Sequence, residues 1–180
     1  IQVKHVAIAN TKLYINRAEG FVGTSLKKDE FLCDCTDYDD IIAFAKSGVM
    51  KVVKVSDKVF IGKDILHAAV FQKNDERTTY NMIYVDGATG INYAKRFNVT
   101  GITRDKEYPL TKSADKSRVH YLSVNANGEA ESVKIILSPN CTARIKELEF
   151  YFDDLEVKGR SSVGNQITKY PIKSVKLKDA

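Results

Sequence analysis

The sequence predicts an all-β domain built from about four propeller-type repeats, on two observations. Strand-like segments rich in Val, Ile, Tyr and Phe follow one another along the whole chain, separated by Gly, Asn, Asp or Ser clusters, and no amphipathic helical period persists. A hairpin-like unit also recurs, which is the mark of a repeat architecture that buries a continuous core by stacking neighbours. In order, the segments are KLYINR (12–17), FLCDC (31–35), DIIAFAK (40–46), MKVVKV (50–55), ILHAAVFQ (65–72), YNMIYV (80–85), INYAKRFNV (91–99), RVHYLSVN (118–125), VKIILS (133–138) and ELEFYF (147–152). Within 91–99, Ile91, Tyr93, Lys95 and Phe97 share one face while Asn92, Ala94 and Arg96 share the other. Residues 38–46 admit a short helix on pattern alone, but their flanking turns favour a strand. The three prolines, Pro109, Pro139 and Pro171, fall at or near strand ends, where a missing amide donor does least damage. The polar interval 103–117, TRDKEYPLTKSADKS, reads as an exposed loop between units.

The recurring unit carries a basic residue at a fixed offset. IIAFAKSGVMKVVKV, NMIYVDGATGINYAKRF and VHYLSVNANGEAESVKI each run through a polar turn ending in Gly48, Gly90 or Gly128. Each then returns with Lys54, Arg96 or Lys134 at the sixth position beyond that glycine. Glycine accepts the positive φ of tight hairpin turns, and Asn127-Gly128 is the most hairpin-prone dipeptide of the set. EGFVGTSLKK, with Lys27 one position late after Gly20, and VGNQITKYPIK, with Lys169 one position early after Gly164, read as degenerate copies. Stacked repeats would turn the repeated position into a basic row.

Length and composition bound the alternatives. With 180 residues, 43% of them hydrophobic, the chain can bury the core of one domain spanning residues 1–180. A net charge of +5, from 28 Lys and Arg against 23 Asp and Glu, permits a polyanionic partner without requiring one. No stretch has the length and apolarity of a membrane-spanning helix, the N-terminus lacks a signal-peptide pattern, and the chain opens on Ile1, which reads as a fragment of something longer.

Catalytic and metal chemistry finds little support. The odd count of three cysteines points to a reducing compartment, and Cys33 and Cys35, two apart in a strand, do not favour a disulfide with each other. Neither they nor Cys141 combine with His5, His67 or His120 in a zinc-ligand spacing or a nucleophilic motif. Asp37, Asp39 and Asp40 crowd one turn and Asp153 and Asp154 another, without the spacing of a calcium loop. There is no phosphate-binding loop, G-x-S-x-G elbow or dinucleotide fingerprint. A small β enzyme is thus the weakest alternative, and a protein-interaction domain that binds an acidic partner or another subunit is the stronger one.

Four stretches carry a family resemblance: NRAEGFVGTSLKKDEF, DDIIAFAKSGVMKVVKVSDKVFIGKDI, YAKRFNVTGITRDKEYPLT and KGRSSVGNQITKYPI. They resemble the C-terminal domain of type IIA DNA topoisomerase A subunits, nearest to the topoisomerase IV-like proteins of the Bacteroidetes. The resemblance extends over essentially the whole chain. It implies a β-pinwheel, a propeller-like disc of four-stranded blades that exchange strands, with duplex DNA on a basic outer rim. It also implies partners, namely the ATPase B subunit together with the remainder of the A subunit in a heterotetramer, and a cytoplasmic, nucleoid-associated location. The cleavage tyrosine and the ATP and Mg sites of that enzyme belong to other domains, so no cofactor and no catalytic residue is expected in this chain. The glutamine-arginine-glycine-lysine box that gyrase A subunits use to wrap DNA is missing near the N-terminus. The nearest run is KGRSSVGN, with Lys158, Gly159, Arg160 and Gly164. Selection and holding of a DNA segment, not gyrase-like wrapping, is the expectation.

Candidate phosphate contacts are Arg17, Lys27, Lys28, Lys54, Lys95, Arg96, Arg104, Lys106, Lys158, Arg160, Lys169 and Lys173. Lys95 is the awkward member, because alternation places it with Ile91, Tyr93 and Phe97, where its stem can snorkel from an interface. As surface residues, Arg96, Arg104 and Arg160 are expected to be replaceable together without harm to the fold.

Overall fold

A computed structural model describes residues 11–72, 77–100, 102–111 and 116–178. Sixteen strands follow in chain order: β1 (Thr11–Asn16), β2 (Phe21–Gly23), β3 (Glu30–Cys35), β4 (Asp40–Ala45), β5 (Val49–Lys54), β6 (Val59–Phe60), β7 (Ile65–Phe71) and β8 (Thr79–Val85), then β9 (Asn92–Asn98), β10 (Glu107–Pro109), β11 (Arg118–Asn125), β12 (Ser132–Leu137), β13 (Glu147–Tyr151), β14 (Val157–Gly159), β15 (Asn165–Thr168) and β16 (Ile172–Leu177). The only helix among the described residues is one 3₁₀ turn, Phe152–Asp154. Among the described residues no helix is long and apolar enough to cross a membrane.

The strands form four sheets, ordered β6-β2-β1-β3, β10-β5-β4-β7, β14-β9-β8-β11 and β13-β12-β16, with β15 also pairing β9. One rule generates all four. Each begins with an antiparallel hairpin: β1-β2, β4-β5, β8-β9 or β12-β13. A later strand (β3, β7, β11 or β16) joins the free side of the first hairpin strand. The second hairpin strand is then covered by a short segment that follows the next hairpin: β6, β10 or β14. Strands are therefore exchanged between successive repeats, as expected. In the fourth sheet β13 has no such partner among the described residues.

The chain forms two compact units. Of the described residues, one contains those up to Ala45, Met50–Gln72 and Thr103–Tyr108, and the other contains Lys46–Val49, those from 77 to Ile102 and those from Pro109 onward. The first unit buries Leu13, Ile15, Val22, Ile41, Ala43, Val53, Ile61 and Ile65, largely alternate residues of β1 and β4 and their neighbours. The second buries Ile83, Ala94, Val133, Ile135, Leu137 and Phe152. On β12 the inward residues Val133, Ile135 and Leu137 alternate with more exposed ones, as a half-buried strand requires. In contrast, β8 and β9 are buried on both faces.

All ten sequence-predicted strands are present, and 40–45 is a strand. Two expectations need correction. The segment around Asn127-Gly128 is not a hairpin: β11 pairs with β8, whereas β12 pairs with β13 and β16, so this turn hands the chain from the third sheet to the fourth. Turn chemistry governs the local reversal, and the competing edges decide what the returning strand pairs with. The interval 103–117 is also more than a loop. It contributes β10, whose Tyr108 is buried along with the neighbouring Leu110; its residues 112–115 lie outside the described set.

Candidate nucleic-acid interface

In the first unit, Arg17 lies in the turn between β1 and β2, where Asn16 accepts the Gly20 amide through its carbonyl (2.9 Å) and the Glu19 amide through its side chain (3.0 Å). Its guanidinium donates to the Glu30 carboxylate at 3.0 Å and to the Leu66 carbonyl at 3.2 Å, and the Glu30 carboxyl is held below the usual range by that hydrogen bond and charge. Lys27 and Lys28 are exposed on the turn leading to β3. Lys54 is exposed at the end of β5, opposite Asp40 on β4, and Arg104 forms an ion pair with Asp40 at 3.1 Å. Lys106 is exposed, with its ammonium 5.3 Å from the centre of the Tyr108 ring.

In the second unit, Lys158 is exposed on β14, Arg160 is half-buried in the loop that follows, and Lys169 is exposed with its ammonium 5.9 Å from the Tyr170 ring centre. Lys173 falls where the β12-β16 register shifts, skipped between Ser174 opposite Ile136 and Ile172 opposite Leu137, and it too is exposed. Lys176, not among the sequence candidates, is exposed and sits opposite Lys134. The alternation of IKSVKL was the signal that could have found it.

Lys95 and Arg96 occupy different surroundings. They are 2% and 7% exposed, because β9 is covered on both faces. Lys95 donates from Nζ to the carbonyls of Arg160 (2.7 Å) and Ser162 (2.9 Å), and its ammonium lies 4.9 Å from the Phe97 ring centre. Arg96 donates from Nε to Asn81 Oδ1 (2.8 Å) and from Nη2 to the carbonyls of Gly128 (2.8 Å) and Glu129 (3.2 Å). Both are internal ties, and this corrects the picture of Arg96 as a replaceable surface cation. The repeated sixth position accordingly has three environments: exposed at Lys54, buried at Arg96, and at Lys134 ion-paired to Glu147 at 3.3 Å. Identical spacing from a glycine fixes direction on a strand but not what lies across from it.

Burial, with the nearby Arg160 charge adding to it, pushes the Lys95 amine down from 10.5 to about 7. Between those two values the unfolded chain holds a proton that the folded chain has released. Folding is therefore penalised most below about pH 7, and the penalty is relieved as pH rises toward 10.5. Urea melts of the chain should show this residue's share of stability growing over that interval, with Lys95→Met flattening the rise. An identical pH profile in the variant would refute the shift.

Elsewhere, burial also raises the Cys35 thiol to about 11, with Cys33 and the nearby Asp39, Asp37 and Asp34 carboxylates adding to it, which disfavours the thiolate. No group of three or more His, Cys, Asp or Glu side chains among the described residues could hold a metal ion.

With this geometry in place, comparison with known proteins is informative. The family model "Topoisomerase C-terminal domain, Bacteroidota" matches residues 12–179. The chain belongs to this family. It is 32% identical over 183 residues to the A subunit of DNA topoisomerase 4 from Borreliella burgdorferi, an alignment that takes in 98% of this chain and 26% of that protein. The chain thus spans about a quarter of the curated relative's length. Its fold is also similar to the crystal structure of the C-terminal domain of DNA topoisomerase IV, with a TM-score of 0.63 at 11% identity, covering 94% of this chain and 61% of that one. The all-β, strand-exchanged repeats described above are therefore the family's fold, and the resemblance read from the four sequence stretches holds.

Proposed function

We propose that this chain, acting as one domain, holds duplex DNA for the catalytic core of a bacterial type IIA topoisomerase of the topoisomerase IV kind. The observation that carries the reading is the set of exposed cations on turns, strand ends and edge strands of both units. Lys27, Lys28, Lys54 and Lys106 belong to one unit, and Lys158, Lys169, Lys173 and Lys176 to the other. Arg17, Arg104 and Arg160 supplement them, exchanging their present partners, Glu30 for Arg17 and Asp40 for Arg104, for phosphate. Lysines in such positions neutralise phosphates and release condensed counterions, which gives affinity with little sequence readout. Lys95 and Arg96 act from within and touch no phosphate. The proposed partners beyond DNA are the ATPase B subunit together with the remainder of the A subunit in the bacterial cytoplasm, where ATP and Mg would serve other domains.

A salt titration of duplex binding tests the reading. If about five phosphates are neutralised, the logarithm of affinity falls with the logarithm of salt at a slope of about −4 to −5. Exchanging Lys27, Lys28, Lys158 and Lys169 for alanine should weaken binding to all sequences alike and reduce the slope by about one for each phosphate no longer neutralised. Absence of binding at low salt, with capture of an acidic protein instead, would favour the interaction-domain alternative.

A further inference from the structure

The edge of the third sheet is made by a single strap that reverses direction. β14 runs parallel to β9, pairing Val157–Gly159 with Arg96, Phe97 and Asn98. After the reversal β15 runs antiparallel to the same strand, pairing Asn165 with Ala94 and Gln166 with Tyr93. The backbone between them is held from below at three carbonyls. Lys95 Nζ donates to those of Arg160 and Ser162, and the Tyr84 hydroxyl donates to that of Val163 at 2.7 Å. Gly164 closes the reversal at φ +97°, and a Cβ there would stand 2.5 Å from the Ala94 carbonyl oxygen. The strap thus lies directly on β9; it carries the exposed Lys158 and the half-buried Arg160, and the exposed Lys169 follows directly after β15.

Burying an amine to hold two carbonyls is a costly way to close a loop, since serine or asparagine would donate without a charge to desolvate. What distinguishes lysine is reach. Its four-carbon stem carries the ammonium to 4.9 Å from the Phe97 ring centre and delivers up to three donors to a backbone that has left the sheet's own ladder. A neutral amine retains two donors, enough for both carbonyls, so the hold survives deprotonation.

We propose that Lys95 is a positioning residue for DNA binding: it holds the strap so that Lys158, Arg160 and Lys169 are presented at fixed spacing to successive phosphates. The inference rests on the DNA-holding reading above. A strap that must be ordered on binding pays conformational entropy that a preorganised one does not.

The test is a double-mutant cycle on the whole chain. Lys95→Met should speed amide exchange across 160–164 and lower duplex affinity about three- to ten-fold at moderate salt. In a chain already carrying Lys158→Ala, Arg160→Ala and Lys169→Ala it should lower affinity no further, because Lys95 acts through those cations. Tyr84→Phe, which removes the Val163 bond and keeps the aromatic stack, should shift exchange and affinity in the same direction by less, and it serves if the lysine variant does not fold. Equal losses in both backgrounds, or unchanged exchange and affinity in Lys95→Met and Tyr84→Phe, would overturn the inference while leaving DNA binding intact. Failure of the unaltered chain to bind duplex with salt dependence would overturn the DNA reading and this inference with it.

Discussion

Replacing Arg96 with methionine should lower the unfolding free energy by about 3 to 5 kcal/mol, the range for removing one member of a buried charged network. The guanidinium is where three parts of the second unit meet. Through Asn81 it joins β8 to β9; through the carbonyls of Gly128 and Glu129 it fixes the link from β11 to β12; and a longer 3.5 Å contact reaches the Leu155 carbonyl ahead of β14. Asn81 extends the network by donating to the Glu129 carbonyl and to Glu131 Oε1, which also accepts from the Ser123 hydroxyl at 2.8 Å. Methionine fills much of the space but takes the Arg96 donor from the Asn81 oxygen and the Gly128 carbonyl, leaving the Glu129 carbonyl to Asn81 alone, and each buried group so orphaned costs about 1 to 3 kcal/mol. Lysine should not rescue, because a point ammonium cannot reproduce the planar fork that reaches partners in several directions. Arg104→Ala, which removes an exposed ion pair to Asp40, should change stability by less than about 1 kcal/mol. The comparison is made by urea denaturation. If the two variants behave alike, the Arg96 network contributes nothing beyond a surface pair.

The same residue shows where sequence reading stops. The alternation of INYAKRFNV correctly separates Tyr93, Lys95 and Phe97 from Ala94 and Arg96, and β8 meets it in register, with Tyr80 stacked on Phe97 at 5.4 Å and Tyr84 on Tyr93 at 5.5 Å. Alternation marks faces, however, and says nothing about whether both will be covered. The long strands were legible because five or more residues of β-branched and aromatic character outweigh local noise. The exchanged strands β6, β10 and β14 were not, since two or three residues such as Val59–Phe60 carry no period and pair only because the preceding hairpin leaves an edge open. β16 was obscured by its lysines and by the register shift at Lys173. Of the candidate site, the exposed turn and edge cations were legible. The internal roles of Lys95 and Arg96 depend on partners 65 and 32 positions away in the chain.

The turn glycines test how far the repeats are equivalent. Gly20, Gly48 and Gly90 each lie between the two strands of a hairpin at φ between +75° and +90°, so alanine at any of them pays about 1 kcal/mol for a left-handed backbone. Beyond that shared cost the surroundings differ. A Cβ at Gly90 would meet nothing within 4 Å, and one at Gly48 would press on the Thr111 methyl at 2.4 Å, a side chain that can turn away. At Gly20 it would fall 2.2 Å from the carbonyl oxygen of Gly62 and 2.8 Å from the Lys63 nitrogen, both backbone. That backbone is close because the chain leaving the exchanged strand β6 docks on this turn: the Ile61 amide donates to the Gly20 carbonyl at 2.7 Å. Relieving the clash means lifting β6 away from β2 and exposing the edge beneath it. We therefore expect Gly90→Ala to cost about 1 kcal/mol, Gly48→Ala somewhat more, and Gly20→Ala more than about 3 kcal/mol, the range reserved for strained backbone combined with a broken contact. Thermal or urea unfolding of the three variants decides it. Equal losses at all three would mean that the turn conformation alone sets the cost and that strand exchange at Gly20 adds no constraint, whereas the predicted order would place the tightest closure of the repeat at its first hairpin.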